Sequence, residues 1–165
     1  MSFQCRRCGL CCRGLLHWDG GRLRGLTLLP GETGVFPPAM VRPYLGLGLE
    51  PSHPGFKVIA HQLKAQDCPH LKGNSCRVYE NRPSACRQFP FNLDPGPGGE
   101  MLLGVDLNCP AAQELTREDL EGSRVPGLES ASRLYRVKRE ARENEDQLWV
   151  YDLESESWSR WTRER

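Results

Sequence analysis

The chain has 165 residues, 38% hydrophobic and 26% charged, so it can bury one modest core and should form a single domain rather than a large multidomain enzyme. Its formal charge is only +1, from 22 Lys and Arg against 21 Asp and Glu, which argues against a general attraction to nucleic acid or an anionic membrane. No run of about 18 apolar residues exists, so we predict no membrane-spanning segment. The 17 glycines and 13 prolines predict a loop-rich fold, and the 8 cysteines are the unusual feature.

The cellular compartment determines how clustered cysteines are interpreted. No apolar stretch precedes Cys5, so we expect no secretory leader and a cytoplasmic protein whose thiols stay reduced. Cysteines in that setting are metal ligands or redox groups. A disulfide framework is the alternative, and the even number of cysteines would suit it.

Four cysteines lie close together at the N-terminus: Cys5, Cys8, Cys11 and Cys12. Spacings of two residues let a tight turn direct successive sulfurs at one centre, so the motif predicts metal ligation. Cys12 cannot easily share an ion with its neighbour Cys11, and we expect it to serve a second centre or to stay free. A redox-active dithiol formed by Cys5 and Cys8 is the competing interpretation.

The other four cysteines occur later in the chain: Cys68, Cys76, Cys86 and Cys109. The sequence 72–75 has the residues of a hairpin turn, which would bring Cys68 and Cys76 together. Residues 82–90 predict one short helical turn that presents Cys86 to the same centre. A strand over residues 101–107 would deliver Cys109, and the proline after it is also found after the last ligand of bacterial ferredoxin motifs.

These residues resemble the YkgJ family of cysteine-cluster proteins. The resemblance is carried by Cys5-x-x-Cys8-x-x-Cys11-Cys12, by Cys68-Pro69-x-Leu71, and by Cys76-x-Val78-Tyr79-x-x-Arg82-Pro83-x-x-Cys86-Arg87-x-Phe89-Pro90. It covers residues 5 to about 110 and implies chelation of zinc or iron. Flagellin lysine methylases are similar in their cysteine motif, so the resemblance also allows a metal-dependent enzyme.

All eight cysteines are therefore candidate metal ligands. Eight thiols could hold two tetrahedral zinc ions, or one four-iron cluster and a separate group of four. A cysteine triple followed by widely spaced single cysteines favours an iron-sulfur cluster or iron, with zinc as the alternative. Arginines near the cysteines would offset the thiolate charge; they are Arg6, Arg7, Arg13, Arg77 and Arg87. Among the histidines, His70 is the best further candidate because it lies close to Cys68.

Periodicity and turn residues predict the remaining elements. We expect strands at residues 23–29 and 56–60, a short helix from Pro37 to Tyr44, an exposed loop at residues 94–100, helices at residues 111–121 and 129–144, and a terminal hairpin at residues 147–161. The aromatic residues of that hairpin should pack on the core, with an exposed docking patch as the alternative.

The predicted fold class is α+β: a small loop-rich single domain organised around a cysteine-ligated metal centre, with a C-terminal helix and β-hairpin. Residues 1–128 would form the metal-binding domain, and residues 129–165 an extension packed on it. We expect a metal ion as partner, and neither nucleic acid nor a membrane. The predicted function is metal binding with a structural or redox centre; the alternatives are an enzyme related to lysine methylases and a metal-scaffolded protein adaptor.

Overall fold

The structure is a computed structural model that describes residues 3–122 and 125–163. The strands are β1 (His17–Asp19), β2 (Arg22–Arg24), β3 (Leu26–Leu28), β4 (Val41–Leu47), β5 (Lys57–Leu63), β6 (Leu71–Lys72), β7 (Ser75–Cys76), β8 (Phe91–Pro95), β9 (Met101–Val105), β10 (Leu148–Asp152) and β11 (Ser157–Arg160). The α-helices are α1 (Ser84–Gln88), α2 (Arg117–Gly122) and α3 (Leu128–Glu143). The mixed α and β composition agrees with the predicted fold class.

The main sheet is antiparallel and has five strands in the order β11-β10-β4-β5-β3. Leu148 on β10 pairs with Leu47 on β4, so the C-terminal hairpin belongs to the same sheet as strands β3, β4 and β5. Three two-stranded ribbons complete the strands: β1-β2, β6-β7 and β8-β9. The division of the chain after residue 128 stays a prediction.

Helix α3 contacts both the sheet and the segments that carry the later cysteines. Its Ala141 packs with Ile59 and Leu148 in one core cluster. Its Leu134 is buried, and the helix packs against α1 and β8. A second core cluster, formed by Leu28, Phe36 and Leu63, has Cys68 at its margin. The segment with Cys68 thus packs on the second core cluster, and α1, which carries Cys86, packs on α3.

Several local predictions are confirmed. The hairpin turn at residues 72–75 connects β6 and β7, and the predicted helical turn around Cys86 is α1. Strands β5 and β9, helix α3 and the β10-β11 hairpin also form where the sequence predicts them, with shifted ends.

In the C-terminal hairpin, Trp158 packs edge-on against Phe56, with ring centroids 5.0 Å apart, and against Tyr151, with ring centroids 5.4 Å apart. Trp161 packs against the core cluster that contains Ile59 and Leu148, so packing on the core is confirmed for this residue of the hairpin.

The predicted helix from Pro37 to Tyr44 is wrong. Only a 3₁₀ turn, Pro38–Met40, forms there, and the chain then enters the central strand β4. Pro43 is accommodated because the ladder between β4 and β5 shifts register between Pro43 and Leu45, and a proline is tolerated in a sheet at such an irregularity.

Two other segments are divided where one element was predicted. The strand expected over residues 23–29 is interrupted at Gly25, so β2 pairs with β1 while β3 joins the main sheet. The helix expected over residues 111–121 is a 3₁₀ turn, Ala112–Glu114, followed by α2. Helix α2 begins after a capping box, in which Asp119 accepts the backbone N–H of Thr116 at 2.9 Å and the Thr116 hydroxyl accepts the N–H of Asp119 at 3.3 Å. The loop predicted at residues 94–100 is shorter, since β8 extends to Pro95.

Within residues 3–122 and 125–163, no helix is both long and apolar enough to cross a membrane.

Candidate metal centre

The N-terminal cysteine motif packs on the loop that carries Cys68. The backbone N–H of Cys68 donates to the carbonyl of Cys12 at 2.8 Å, and the N–H of Leu15 donates to the carbonyl of Gln66 at 2.8 Å. Arg13 adds a longer-range link, since its guanidinium donates to the carbonyl of Gly73 at 2.9 Å. These bonds hold the first cysteine group against the second although the two are far apart in the sequence.

Gly9, between Cys8 and Cys11, makes this packing sterically allowed. Its φ is +75°, a left-handed conformation that glycine adopts at no steric cost. A Cβ at this position would also lie 3.1 Å from the Cα of Asn74 in the β6-β7 turn, which is too close for an ordinary contact. The glycine therefore allows the motif to turn sharply and to approach the second cysteine group.

Cys86 is positioned by a capped helix. Helix α1 begins at Ser84, whose backbone N–H donates to the Glu32 carboxylate at 2.9 Å. Glu32 also accepts the N–H of Leu29 at 3.0 Å, so it connects its own 3₁₀ turn to the first residue of α1. Cys86 lies two residues further along this helix.

Five cysteines form what we call the inner cluster: Cys11, Cys12, Cys68, Cys76 and Cys86. Burial raises the pKa of Cys86 to about 12, and repulsion from the Cys11, Cys68 and Cys76 thiolates adds to the rise. Burial likewise raises the pKa of Cys68, with Cys76 and Cys11 as its charged neighbours. The Cys68 and Cys86 thiols thus respond to charge from both cysteine groups, which agrees with the backbone hydrogen bond between Cys68 and Cys12 in bringing the two groups together.

Cys11 and Cys12 interact directly. A hydrogen bond from Cys12 lowers the pKa of Cys11, and the same hydrogen bond raises the pKa of Cys12. The pair therefore loses its first proton more easily than an isolated cysteine and its second proton with more difficulty. The structure places Cys12 in the same cluster as its neighbour, and whether both sulfurs bind one metal stays a prediction.

Three cysteines lie outside the inner cluster. Cys5 and Cys8 are the first two cysteines of the N-terminal motif, and Cys109 is the last cysteine of the chain. Arg6 forms an ion pair with Glu114, which raises the pKa of Arg6, and the Cys109 and Cys8 thiols add to that effect. Cys8 and Cys109 therefore share Arg6 as a neighbour, and we call them the outer pair. Cys5 is exposed and accepts the backbone N–H of Arg7 at 3.4 Å.

Arg82 is the cation that faces the inner cluster. It lowers the pKa of Cys11 and opposes the rise at Cys86, and its guanidinium stacks on the Tyr79 ring, 3.8 Å from the ring centroid. Arg7 lies 4.7 Å from the centroid of the same ring. The arginines predicted from the sequence lie within two residues of a cysteine, so Arg82 was not among them, although its place in the Arg82-Pro83 motif was a usable signal.

All eight cysteines line one cleft of about 1130 Å³. All eight are free thiols. His70 does not contribute to this lining: its Nε2 lies 2.6 Å from the carbonyl oxygen of Val35, and its ring packs against Phe36. The candidate donors of the cleft are foremost the eight sulfurs, which come from segments far apart in the sequence; its lining also includes His17, Asp94, Asp106 and several arginines.

Residues 4–119 match the CxxCxxCC family, described as a putative zinc- or iron-chelating domain. This chain belongs to the CxxCxxCC family. The match covers more than half of the chain, includes all eight cysteines, and confirms the resemblance seen in the motifs. No curated protein and no solved structure matches the chain.

The donor set fits the metals named in the family description. Thiolates are preferred ligands of zinc and of iron-sulfur clusters, and nearby arginines compensate the negative charge that several thiolates leave. Within the described residues, no three histidine, cysteine, aspartate or glutamate side chains are arranged as a metal site. The ligand set, the metal and the number of centres therefore belong to the proposal that follows.

Proposed function

We propose that this CxxCxxCC-family protein binds iron or zinc in the cysteine-lined cleft, with the inner cluster as the principal ligand set. The observation that carries the proposal is that eight thiols from separate parts of the chain line one cleft. The hydrophobic core is modest, and metal ligation by cysteines that are distant in the sequence would contribute to folding directly.

Within the inner cluster, Cys11, Cys68, Cys76 and Cys86 come from four separate segments of the chain, so they would serve as ligands without the strain of neighbouring residues. Cys12 is an additional or exchanging ligand. The outer pair and Cys5 are the further candidates for a second centre. A cysteine triple followed by widely spaced single cysteines favours an iron-sulfur cluster over zinc, and such a cluster would supply one-electron transfer in addition to cross-linking.

Arg82 would hold its positive charge beside the sulfurs whether or not metal is bound, because its stacking on Tyr79 fixes the guanidinium. Arg6 would act similarly at the outer pair. A cytoplasmic location suits this function, since a reducing compartment keeps the thiols free to bind metal.

The test is metal analysis of protein purified without oxygen from cells supplied with iron and zinc. We expect at least one metal per chain, and a broad absorption band near about 400 nm together with acid-labile sulfide would identify an iron-sulfur cluster. Cys86→Ser should remove most of the metal, whereas Cys5→Ser, at the exposed cysteine, should remove much less. A wild-type protein with less than one metal per chain would overturn the proposal.

A further inference from the structure

The β8-β9 ribbon exposes an unusual amount of apolar surface along its second strand. Met101, Leu102 and Leu103 are consecutive residues of β9 with exposed fractions of 56%, 47% and 41%. Leu107, just after the strand, is 62% exposed. Scattered exposed leucines are ordinary, but an apolar row along one strand is typical of an interaction surface.

The two edges of this ribbon differ. The outer edge of β8 is covered by α3, because Lys138 donates to the carbonyl of Leu93 at 3.0 Å and Arg142 donates to the carbonyl of Pro95 at 3.0 Å. A covering helix with cationic side chains is one way in which proteins prevent an edge from pairing with another strand.

Among the described residues, no helix covers the outer edge of β9 with comparable hydrogen bonds. The N–H of Asp106 donates to the carbonyl of Pro90 at 2.7 Å, and Gly96 and Glu100 form the corresponding bond at the other end of the ribbon. Because backbone direction alternates along an antiparallel pair, the N–H and C=O groups of Met101, Leu103 and Val105 point away from β8. In the part of the chain that the structure describes, no hydrogen bond reaches these groups.

Acidic residues lie at both ends of this open edge. Glu100 precedes β9 and Asp106 follows it, and neither forms an ion pair with a described residue. Pairing β9 with a second copy of itself about Leu103 would place Glu100 opposite Asp106, and like charges directly opposite each other are destabilising. The charges therefore favour a different strand with basic ends.

We propose that β9 is a docking edge for an extended peptide segment of a partner protein, with apolar side chains at alternate positions and Lys or Arg at both ends. The open backbone groups would extend the ribbon by one strand, which is the β-augmentation mode of peptide recognition. Met101 and Leu103 would pack against the apolar side chains of the peptide, and Glu100 and Asp106 would pair with its basic ends. This inference is independent of the metal.

The experiment measures binding of two labelled peptides, Lys-Val-Thr-Val-Thr-Val-Lys and Glu-Val-Thr-Val-Thr-Val-Glu, to the full chain. We expect the first peptide to bind at least about tenfold more tightly than the second. The E100K/D106K double variant should reverse this preference, whereas the matched E50K/E154K variant, which changes two exposed acids elsewhere, should leave it unchanged. Equal binding of both peptides, or no binding of the first, would overturn the proposal.

A second arm tests the backbone contact. Leu103→Pro removes an N–H that points away from β8, which an edge strand tolerates, and should weaken binding of the first peptide at least about tenfold. Should this variant not fold, methylation of alternate backbone nitrogens in the peptide tests the same bonds without changing the protein. Unchanged binding in both cases would exclude strand addition. A concentration-dependent dimer of the wild type that Leu103→Pro abolishes would show that the occupant is a second copy, and would also overturn the proposal.

Discussion

Glu32 and Ser84 are 52 positions apart, yet a single carboxylate oxygen of Glu32 accepts both the backbone N–H of Ser84, at 2.9 Å, and its hydroxyl, at 2.5 Å. These bonds satisfy the first N–H of α1 and place a negative charge at the helix start, where it is favourable. Through α1, the same bonds fix the position of Cys86.

We predict that Glu32→Ala lowers the free energy of unfolding by about 1–3 kcal/mol, because two donors of Ser84 and the N–H of Leu29 lose their acceptor. It should also lower the metal content, since Cys86 is no longer held in the cleft. Chemical denaturation and metal analysis measure the two effects. Glu50→Ala, at an exposed acid, is the control and should change neither; an Ala variant at Glu32 with full metal content would show that the cap does not position Cys86.

The next prediction concerns the close approach of two backbone segments at Gly25. A Cβ at this buried position would overlap the carbonyl oxygen of Leu63 on β5. Gly25→Ala should therefore force β2 and β3 away from the sheet and cost about 1–3 kcal/mol of stability, the range for overpacking a core.

Gly31→Ala is the matched control for this substitution, because a Cβ at Gly31 meets nothing within 4 Å. It should leave the melting temperature unchanged or slightly raised, since alanine restricts the unfolded chain. Equal melting temperatures for the two variants would contradict the steric argument at Gly25.

The parts of this fold that depend on nearby residues were predictable, as the turn between β6 and β7 illustrates. Its glycine and asparagine determine the reversal of the chain locally, and the prolines around α1 similarly mark a short helix. Strand β4 was not predictable in this way, because Pro43 and Gly46 disfavour a strand locally. Its strand conformation depends on pairing with β5 and β10, which flank it in the sheet, and β10 lies near the C-terminal end of the chain.

The candidate site, too, was predictable only in the features that depend on residues close together in the sequence. The motif spacings identified every cysteine of the cleft, because residue type and spacing are visible in the sequence. They did not show that Cys11 and Cys12 join Cys68, since that proximity depends on the backbone bond between Cys68 and Cys12. The role of Glu32 was hidden for the same reason, because it acts on a helix that begins 52 residues later.

A buried amide provides a third prediction. The side chain of Gln62 is 0% exposed, and its Nε2 donates to the carbonyls of Pro43 at 2.9 Å and Tyr151 at 3.2 Å. Its Oε1 accepts the N–H of Gly25 at 3.0 Å. One side chain thus connects β4, β5, β10 and the break between β2 and β3.

Gln62→Met retains the volume of the side chain but leaves three buried backbone groups without a partner, so we expect a loss of about 3 kcal/mol or more by urea denaturation. Gln66→Met removes an exposed amide and should change stability by less than about 0.5 kcal/mol. A cost at Gln62 no greater than that at Gln66 would mean that these hydrogen bonds contribute nothing to the connection between the strands.

The last prediction is a pH dependence at His61, which lies on β5 between Leu28 and Pro43. Its Nδ1 is buried and has no hydrogen-bond partner in the described structure, and burial lowers the pKa of His61 in the folded state. In the unfolded chain the pKa returns to about 6.5. The unfolded state therefore binds the proton more readily, and the folded state loses stability as the pH falls below about 6.5 toward the lower folded pKa.

His61→Gln removes this titration, so the difference in unfolding free energy between the variant and the wild type should shift in favour of the variant as the pH falls from about 7 to about 5. Gln66→Met, which changes no titratable side chain, should follow the pH profile of the wild type. Denaturant titrations of the three proteins at several pH values measure the effect with the metal content held constant. Parallel pH profiles for the wild type and His61→Gln would mean that protonated His61 is accommodated in the folded sheet as well as it is in water.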